Sequence, residues 1–471
     1  MKYSLIFIAL VLNSCTQIEE RDSYKDFADF QKNTLSEVVP AKTYSLNMCL
    51  QLAIENNLAL YAMKLEQAVS DDKAMAHLLT ALPSLRASYN ESTRSNEPGA
   101  TSEGIEDGFE SLRASKSSER HLGYFRLEMA LSSLDFGLAY INRHFENDQK
   151  KKAFINRSKA ERELKFQVIQ AYYSVAAAQY VLAKTQQELI KNEDTLKKVE
   201  SLFDKQYISR FELFRFKRKF LQARKQLREY ERNHVNYCLN LTALLGLYPS
   251  ENINVDTTGF ICDLQTGRFK LDYQAPVYED LEKNALLRRE EIITMDIESH
   301  ISLLKEKSEL LKLFPNVKLF AAFNSNDNSF LYNKSWTELG FNVIIDFMKI
   351  PSRLKNMSAE EKQRTVIKFK QYSIMLNVIA QLKIAYANIE EVKERLSLKE
   401  DIYRIIQQEN KLTREAFKKG TRNQLDVLEK DIDLLISHIQ RTATFANYNV
   451  ALHRLLNISA SPQRDLRDMV K

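Results

Sequence analysis

Glycine and proline are scarce, with 10 and 8 residues in a chain of 471, about 2% each against usages of roughly 7% and 5%. So few turn and breaker residues exclude collagen-like, Pro/Gly-rich disordered and all-β sandwich architectures, and long uninterrupted elements follow. No glycines fall into a nucleotide-binding spacing. Cysteine is equally sparse, with four residues and no C-x-x-C pair, so neither a disulfide framework nor a zinc site is expected. Cys49 and Cys238 lie in apolar-periodic stretches and read as small buried hydrophobes. The seven histidines are dispersed, and H-E-x-x-H, G-x-S-x-G and G-x-x-x-x-G-K-[ST] are all missing. These absences point to a non-enzyme without metal or cofactor. An excess of one charge is lacking too: 68 basic and 62 acidic side chains leave a net charge of +6. With no block of five or six like charges, nucleic acid is not an expected partner. The short basic run at 215–219 reads as a solvated helix face.

No hydrophobic run reaches the roughly 20 residues of a membrane-spanning helix. The apolar stretch at 3–12, preceded by Lys2, instead reads as an export signal. It leads into Leu12-Asn13-Ser14-Cys15, which resembles a bacterial lipobox. On that reading residues 1–14 are a signal peptide and the Cys15 thiol carries a lipid, the covalent group expected here. Residues 15–44 then form the anchor and linker, stable attachment requiring more than one acyl chain.

The remainder repeats itself. Residues 79–90 (LTALPSLRASYN) parallel 311–323 (LKLFPNVKLFAAF), with Pro83 and Pro315 separated by 232 positions, and the same offset pairs Ala53 with Ala285. Leu134-Asp135-Phe136 matches Ile345-Asp346-Phe347 at an offset of 211, and Ala171-Tyr172 matches Ala385-Tyr386 at 214. Two copies of one unit therefore occupy 45–247 and 277–458, with a connector at 248–276 and a tail at 459–471. The offset falls by 21 between proline and aspartate, so the first copy carries an insert. The stretch 96–118, holding Gly99, Gly104 and Gly108, marks that insert as a loop.

Each copy begins with helical spacing, over 46–82 and 278–314, and then changes to period two. Leu85/Ala87/Tyr89 and Phe125/Leu127/Met129/Leu131 alternate with polar or mixed neighbours, as do Val317/Leu319/Ala321/Phe323 and Leu339/Phe341/Val343/Ile345. The strand pairs fall at about 84–96 with 119–135 and about 315–326 with 335–347. They reach the roughly 9 to 11 residues of a tilted membrane strand. Periodicity alone fits a small soluble sheet equally well.

From about 138 to 207 and from 351 to 419 nothing breaks the chain, so each helix would extend roughly 100 Å at 1.5 Å per residue. Val175, Leu182, Leu189, Leu196 and Phe203 recur every seventh residue, and their counterparts Ile389, Leu396, Tyr403, Asn410 and Phe417 keep the register. This is coiled-coil spacing, read as helix packing. Polar breaks at 206–209 and 420–423 precede second apolar-periodic runs ending near Leu247 and Ile458, which makes long antiparallel hairpins.

This order of elements resembles the TolC-like outer-membrane efflux family, in its lipid-anchored OprM-like form. The resemblance covers nearly the whole mature chain. It is carried by Ala53-Ile-Glu-Asn-Asn57, Leu82-Pro-Ser-Leu85, Leu134-Asp-Phe-Gly137 and Gly420-Thr421-Arg422-x-x-Leu425-Asp426-Val427-Leu428. Gln206 stands where the first hairpin often has Gly, and Phe347-Met-Lys-Ile-Pro-Ser replaces the second Gly-Arg turn. The resemblance implies a mainly α protein with a small membrane β-hairpin region. Its two repeats would form one third of a trimeric 12-stranded β-barrel and of a long α-helical coiled-coil barrel. Strand edges argue the same way, since four strands cannot close in lipid and three chains can supply twelve.

The function implied is a passive outer-membrane export duct in a Gram-negative bacterium, reaching into the periplasm. It would form a homotrimer in outer-membrane lipid, work with a periplasmic adaptor and an inner-membrane pump, and carry small molecules such as drugs. A duct for type I protein secretion, an envelope-scaffolding coiled-coil lipoprotein and a periplasmic adaptor are the alternatives. By resemblance, Asp426 and Glu429 lie at the periplasmic gate, where a three-fold axis would gather six carboxylates. Arg422 and Phe417 match contacts that hold the entrance shut, and Lys205, Gln206, Ser209, Phe211, Lys418, Gly420 and Thr421 match adaptor contacts. Tyr89, Phe330, Tyr332 and Trp336 sit near strand ends, where aromatic rings favour the bilayer interface.

Overall fold

The computed structural model describes residues 29, 42–101, 103, 105–106, 108–110, 113–266 and 277–459, the side chains of 186–193, 195 and 266 excepted. Cys15, Gly104 and the tail from residue 460 lie outside the described residues. The first copy runs β1 (Thr43–Tyr44), α1 (Leu46–Asn56), α2 (Leu58–Leu79), β2 (Ser84–Thr93), β3 (Gly99–Ala100), β4 (Ser115–Lys116), β5 (His121–Ser132), α3 (Ser133–Asp204) and α4 (Arg210–Leu244). The connector holds β6 (Asn254–Val255) and α5 (Thr258–Thr266). The second copy runs α6 (Tyr278–Arg288), α7 (Glu290–Leu311), β7 (Asn316–Asn326), β8 (Ser335–Ile344), a 3₁₀ turn (Phe347–Lys349), α8 (Ile350–Lys418) and α9 (Gln424–Ile458).

Two compact units result, one made of Met63–Arg157 with Arg288–Asn377 and the other of the described residues of Met1–Ala62, Ser158–Leu287 and Val378–Gln463. The first holds an antiparallel sheet in the order β2-β5-β7-β8, so the hairpins of the two copies join at the β5–β7 ladder. Ile155 of α3 packs there against Ile293, Ile297 and Ile301 of α7. In the second unit, Val199 (α3), Phe216 and Phe220 (α4), and Leu425 and Ile432 (α9) form one buried cluster that fastens the two hairpins together.

Several sequence expectations are corrected. Single helices over 46–82 and 278–314 are each two, broken at Asn57 and Arg289, the same position in both copies at the 232 offset. Asn57 is extended (φ −73°, ψ 113°), and its Oδ1 accepts from the Leu60 N–H at 3.0 Å, capping α2. Apolar periodicity carries across one extended residue, so the pattern does not register the break. The insert is not only loop: β3 and β4 pair within it. Strand β5 stops at Ser132, where the Ser132 hydroxyl accepts from the Asp135 N–H at 3.2 Å and starts α3 at once. Strand β8 stops at Ile344, and the Phe347–Lys349 turn intervenes before α8, with the Asp346 carboxylate paired to the Lys349 ammonium at 2.9 Å. The heptad stripe buries Val175, Ile389, Leu396 and Asn410, but Phe417 at its end faces outward.

The hairpin turns are the same structure built twice. The N–H groups of Gln206 and Tyr207 donate to the carbonyls of Phe203 and Leu202, at 2.8 and 2.9 Å. Those of Gly420 and Thr421 donate to Phe417 and Ala416, at 2.9 and 3.0 Å. This pattern needs a left-handed residue at the first position, supplied by Gly420 at φ 74° and, against steric preference, by Gln206 at φ 62°. Ser209 and Asn423 then cap α4 and α9. Gln206→Gly should therefore stabilise the fold by about 0.5–1 kcal/mol, and Gly420→Gln should destabilise it by a similar amount. Denaturant unfolding measures both, and no gain for Gln206→Gly would mean that the turn carries no strain.

Candidate functional site

Alternation along the four strands sorts their side chains onto two faces of opposite character. One face gathers Leu85, Ala87, Tyr89, Phe125, Leu127, Met129, Leu131, Leu319, Phe323, Leu339, Phe341 and Val343, matched in register across the ladders. These residues are open to solvent within one chain, Leu339 at 85%, Leu85 at 70% and Phe341 at 69%. The other face carries Tyr124, Arg126, Glu128, Lys318, Asn324 and Glu338, and it is the more enclosed, with Asn324 at 0% exposure. A sheet in water buries its apolar face. This one does the reverse, as a lipid-facing strand requires. The outer edges of β2 and β8 have no strand partner among the described residues. Among those residues no helix is long and apolar enough to cross a membrane.

The hairpin ends form the second constellation. Asp426 stands three residues after its cap Asn423, whose Oδ1 accepts from the Asp426 N–H at 2.9 Å, and its carboxylate faces Arg422 at 3.6 Å. Glu429 is paired with Arg215 of α4 at 2.9 Å, and Asp433 with Lys219 at 2.7 Å. The basic run 215–219 is thus not simply a solvated face: two of its cations hold carboxylates of α9. Glu212, the counterpart of Asp426, reaches back to the Ser209 N–H at 2.8 Å, and that bond holds its carboxyl below the usual range. Among the adaptor-contact candidates, Gln206 and Gly420 are the left-handed turn residues, Ser209 is the α4 cap, and Phe211 is exposed at 74%. Lys205 and Thr421 stand in the same two turns, and Lys418 is the last residue of α8.

Sequence reasoning missed a buried polar cluster in the second unit. Arg441 of α9 donates to Glu400 of α8 and to the Leu264 carbonyl of α5, and lies 4.7 Å over the Tyr403 ring. One turn away His438 is sandwiched between Tyr180 (5.4 Å) and Tyr403 (5.9 Å), with neither ring nitrogen hydrogen-bonded. Burial, aided by Lys184 and Arg441, pushes the His438 pKa down to about 4. The only available signal was the pair of polar residues interrupting the α9 apolar pattern. Cys49 and Cys238 are both buried, and burial pushes their thiols up to about 12 and about 11. Cys262 lies exposed on α5.

No family model matches this sequence, and no curated protein matches it. Solved structures do. CusC, studied for the conformational changes of its folding and transmembrane channel formation, is 14% identical with a TM-score of 0.69 over 90% of this chain and 95% of its own. The CmeC outer membrane channel of Campylobacter jejuni is 11% identical, with a TM-score of 0.68 over 90% and 88%. The outer membrane protein VceC of Vibrio cholerae is 12% identical, with a TM-score of 0.67 over 88% and 95%. The fold is that of the TolC-like outer-membrane channels.

His438 makes stability depend on pH. Its folded pKa of about 4 lies below the ordinary 6.5, so between those values the unfolded chain binds the extra proton and stability falls as pH falls, levelling off below 4. The loss should reach roughly 3 kcal/mol by pH 4. Thermal melting of the wild type and of His438→Phe at pH 7 and pH 4.5 checks this. The variant should lose less stability on acidification, and equal losses would remove the imidazole from the account.

Proposed function

We propose that this protein is an export duct of the outer membrane, a passive conduit assembled from three copies of the chain. The observation that carries this reading is the four-stranded sheet, with its apolar face open, its polar face enclosed and its two edges unpaired among the described residues. Each large apolar side chain on that face would gain about 1.5–3 kcal/mol by leaving water. Lipid offers that gain only if no backbone N–H or C=O is left unpaired. Joining β8 of one copy to β2 of the next satisfies both demands, and three copies make a closed ring of twelve strands. A scaffolding coiled coil or a soluble adaptor would have no use for such a face.

In this reading the duct draws no energy of its own. Small molecules such as drugs enter from the periplasm and leave by diffusion, driven by an inner-membrane pump through a periplasmic adaptor. The adaptor would meet the two hairpin turns around Lys205, Gln206, Ser209, Phe211, Lys418, Gly420 and Thr421, and Cys15 would carry a lipid into the outer membrane. Asp426 and Glu429 would line the entrance, with Arg422 and Phe417 helping to close it. Because Arg422 and Arg215 already face these carboxylates, the resulting ring is charge-compensated.

Detergent-purified protein should have the mass of a trimer and give discrete conductance steps in planar bilayers. A monodisperse monomer that stays stable in buffer without detergent would overturn the proposal. Asp426→Ala with Glu429→Ala should raise conductance and, by freeing Arg422 and Arg215, move selectivity toward anions. Unchanged single-channel traces would reject the gate assignment while leaving the duct intact.

A further inference from the structure

The enclosed face of the sheet holds a group of ionisable side chains that the duct reading does not yet use. Arg126 stands at its centre on β5. Its Nε and Nη2 donate to Glu128 at 3.0 and 2.9 Å, and its Nη1 donates to Glu338 of β8 at 2.9 Å and to Asn324 Oδ1 of β7 at 3.1 Å. Lys318 of β7 takes the other Glu128 oxygen at 2.6 Å. Asn324 Nδ2 donates to Glu338 at 3.3 Å, and the Tyr124 hydroxyl donates to Asn324 Oδ1 at 2.6 Å. The guanidinium also lies 5.6 Å over the Phe320 ring, and that ring covers Gly340, where an added Cβ would fall 2.6 Å from Phe320 Cζ. One arginine thus binds carboxylates from two strands, and β7 supplies the amide between them.

Ionisable groups at membrane depth are costly and face a water-filled interior. Here both acids of the face are paired: Glu128 gives one oxygen to Arg126 and the other to Lys318, and Glu338 gives Oε2 to Arg126. On the neighbouring edge strand, Arg86 lies opposite Glu128 in the ladder. Cations on this face therefore outnumber acids, and they do so only while Arg126 stays in place.

We propose that Arg126 is the specificity-determining residue of the barrel interior: by neutralising, together with Lys318, the carboxylates of Glu128 and Glu338 it keeps the wall free of net negative charge, so that anionic solutes pass it without repulsion. This rests on the duct reading. Replacing Arg126 by Gln would leave Glu338 without its cation and Glu128 with Lys318 alone, lowering the net charge of the wall by one per chain and making it more attractive to cations. The effect should be strongest at low salt, because about 10 Å of screening at 0.1 M still lets wall charges act on the lumen, and about 3 Å at 1 M does not.

The test is the reversal potential of single channels under a KCl gradient, at 0.1 M and at 1 M. Arg126→Gln should raise the potassium-to-chloride permeability ratio about two-fold or more at 0.1 M and much less at 1 M. Glu128→Gln with Glu338→Gln should lower it, and the triple variant, which keeps Arg86 and Lys318 without an acid, should fall between the double variant and the wild type. The triple variant guards against a folding artefact, since it carries the Arg126→Gln change yet must shift the ratio in the opposite direction from Arg126→Gln alone. Unaltered ratios in Arg126→Gln and in the double variant, with normal conductance, would overturn the assignment. Absence of any conductance in the wild type would instead overturn the duct.

Discussion

In the proposed duct a backbone amide in hydrocarbon must find a partner, and the four-stranded sheet is arranged as that requirement demands. Two copies of one unit each supply a strand pair, and the copies join at the β5–β7 ladder to make a sheet of four. Four strands leave two open edges, and each unsatisfied peptide group in lipid costs several kcal/mol. The side chains agree with the backbone: the face exposed in a single chain is the one that lipid would solvate. The cross-strand ion pairs meanwhile lie on the opposite, more enclosed face.

Duplication has left its trace in the helical hairpins, where equivalent residues of the two copies meet. Arg215 pairs with Glu429 and Lys219 with Asp433, and each pair is separated by 214 positions, the repeat offset. Identical residues at those positions would have repelled each other, so the copies have diverged to opposite charge where they touch. The turns diverged less. Both keep the same pair of helix-ending hydrogen bonds, although one copy uses Gln206 where the other uses Gly420. The capping acid also differs: Glu212 closes a capping box with Ser209, whereas Asp426, one methylene shorter, faces Arg422 instead.

The Arg441–Glu400 pair and His438 place polar groups where three long helices and α5 converge. Removing one member of a buried ion pair typically costs 3–5 kcal/mol, so such a cluster fixes helix register more than it adds net stability. Asn410 does the same nearer the turn. It is buried in the heptad stripe and donates to Asp431 at 2.7 Å while accepting from Arg414 at 2.8 Å.

The repeat, the helix–strand–helix order, the strand faces and the hairpin turns were legible in the sequence because each rests on local periodicity or on a breaker residue. Alternation of Phe125, Leu127, Met129 and Leu131 with Arg126 and Glu128 is a property of neighbours in the chain. The breaks at Asn57 and Arg289 were not legible, since one extended residue leaves the apolar spacing intact. Neither were the partners of Glu429 and Arg126. Those depend on which helix and which strand arrive beside them, at sequence separations of 214 and 212. Sequence alone determined which residues could line a membrane or a helix seam. Only the tertiary structure decided which charges are already spent on each other, because pairing is set by distances between segments that no local pattern encodes.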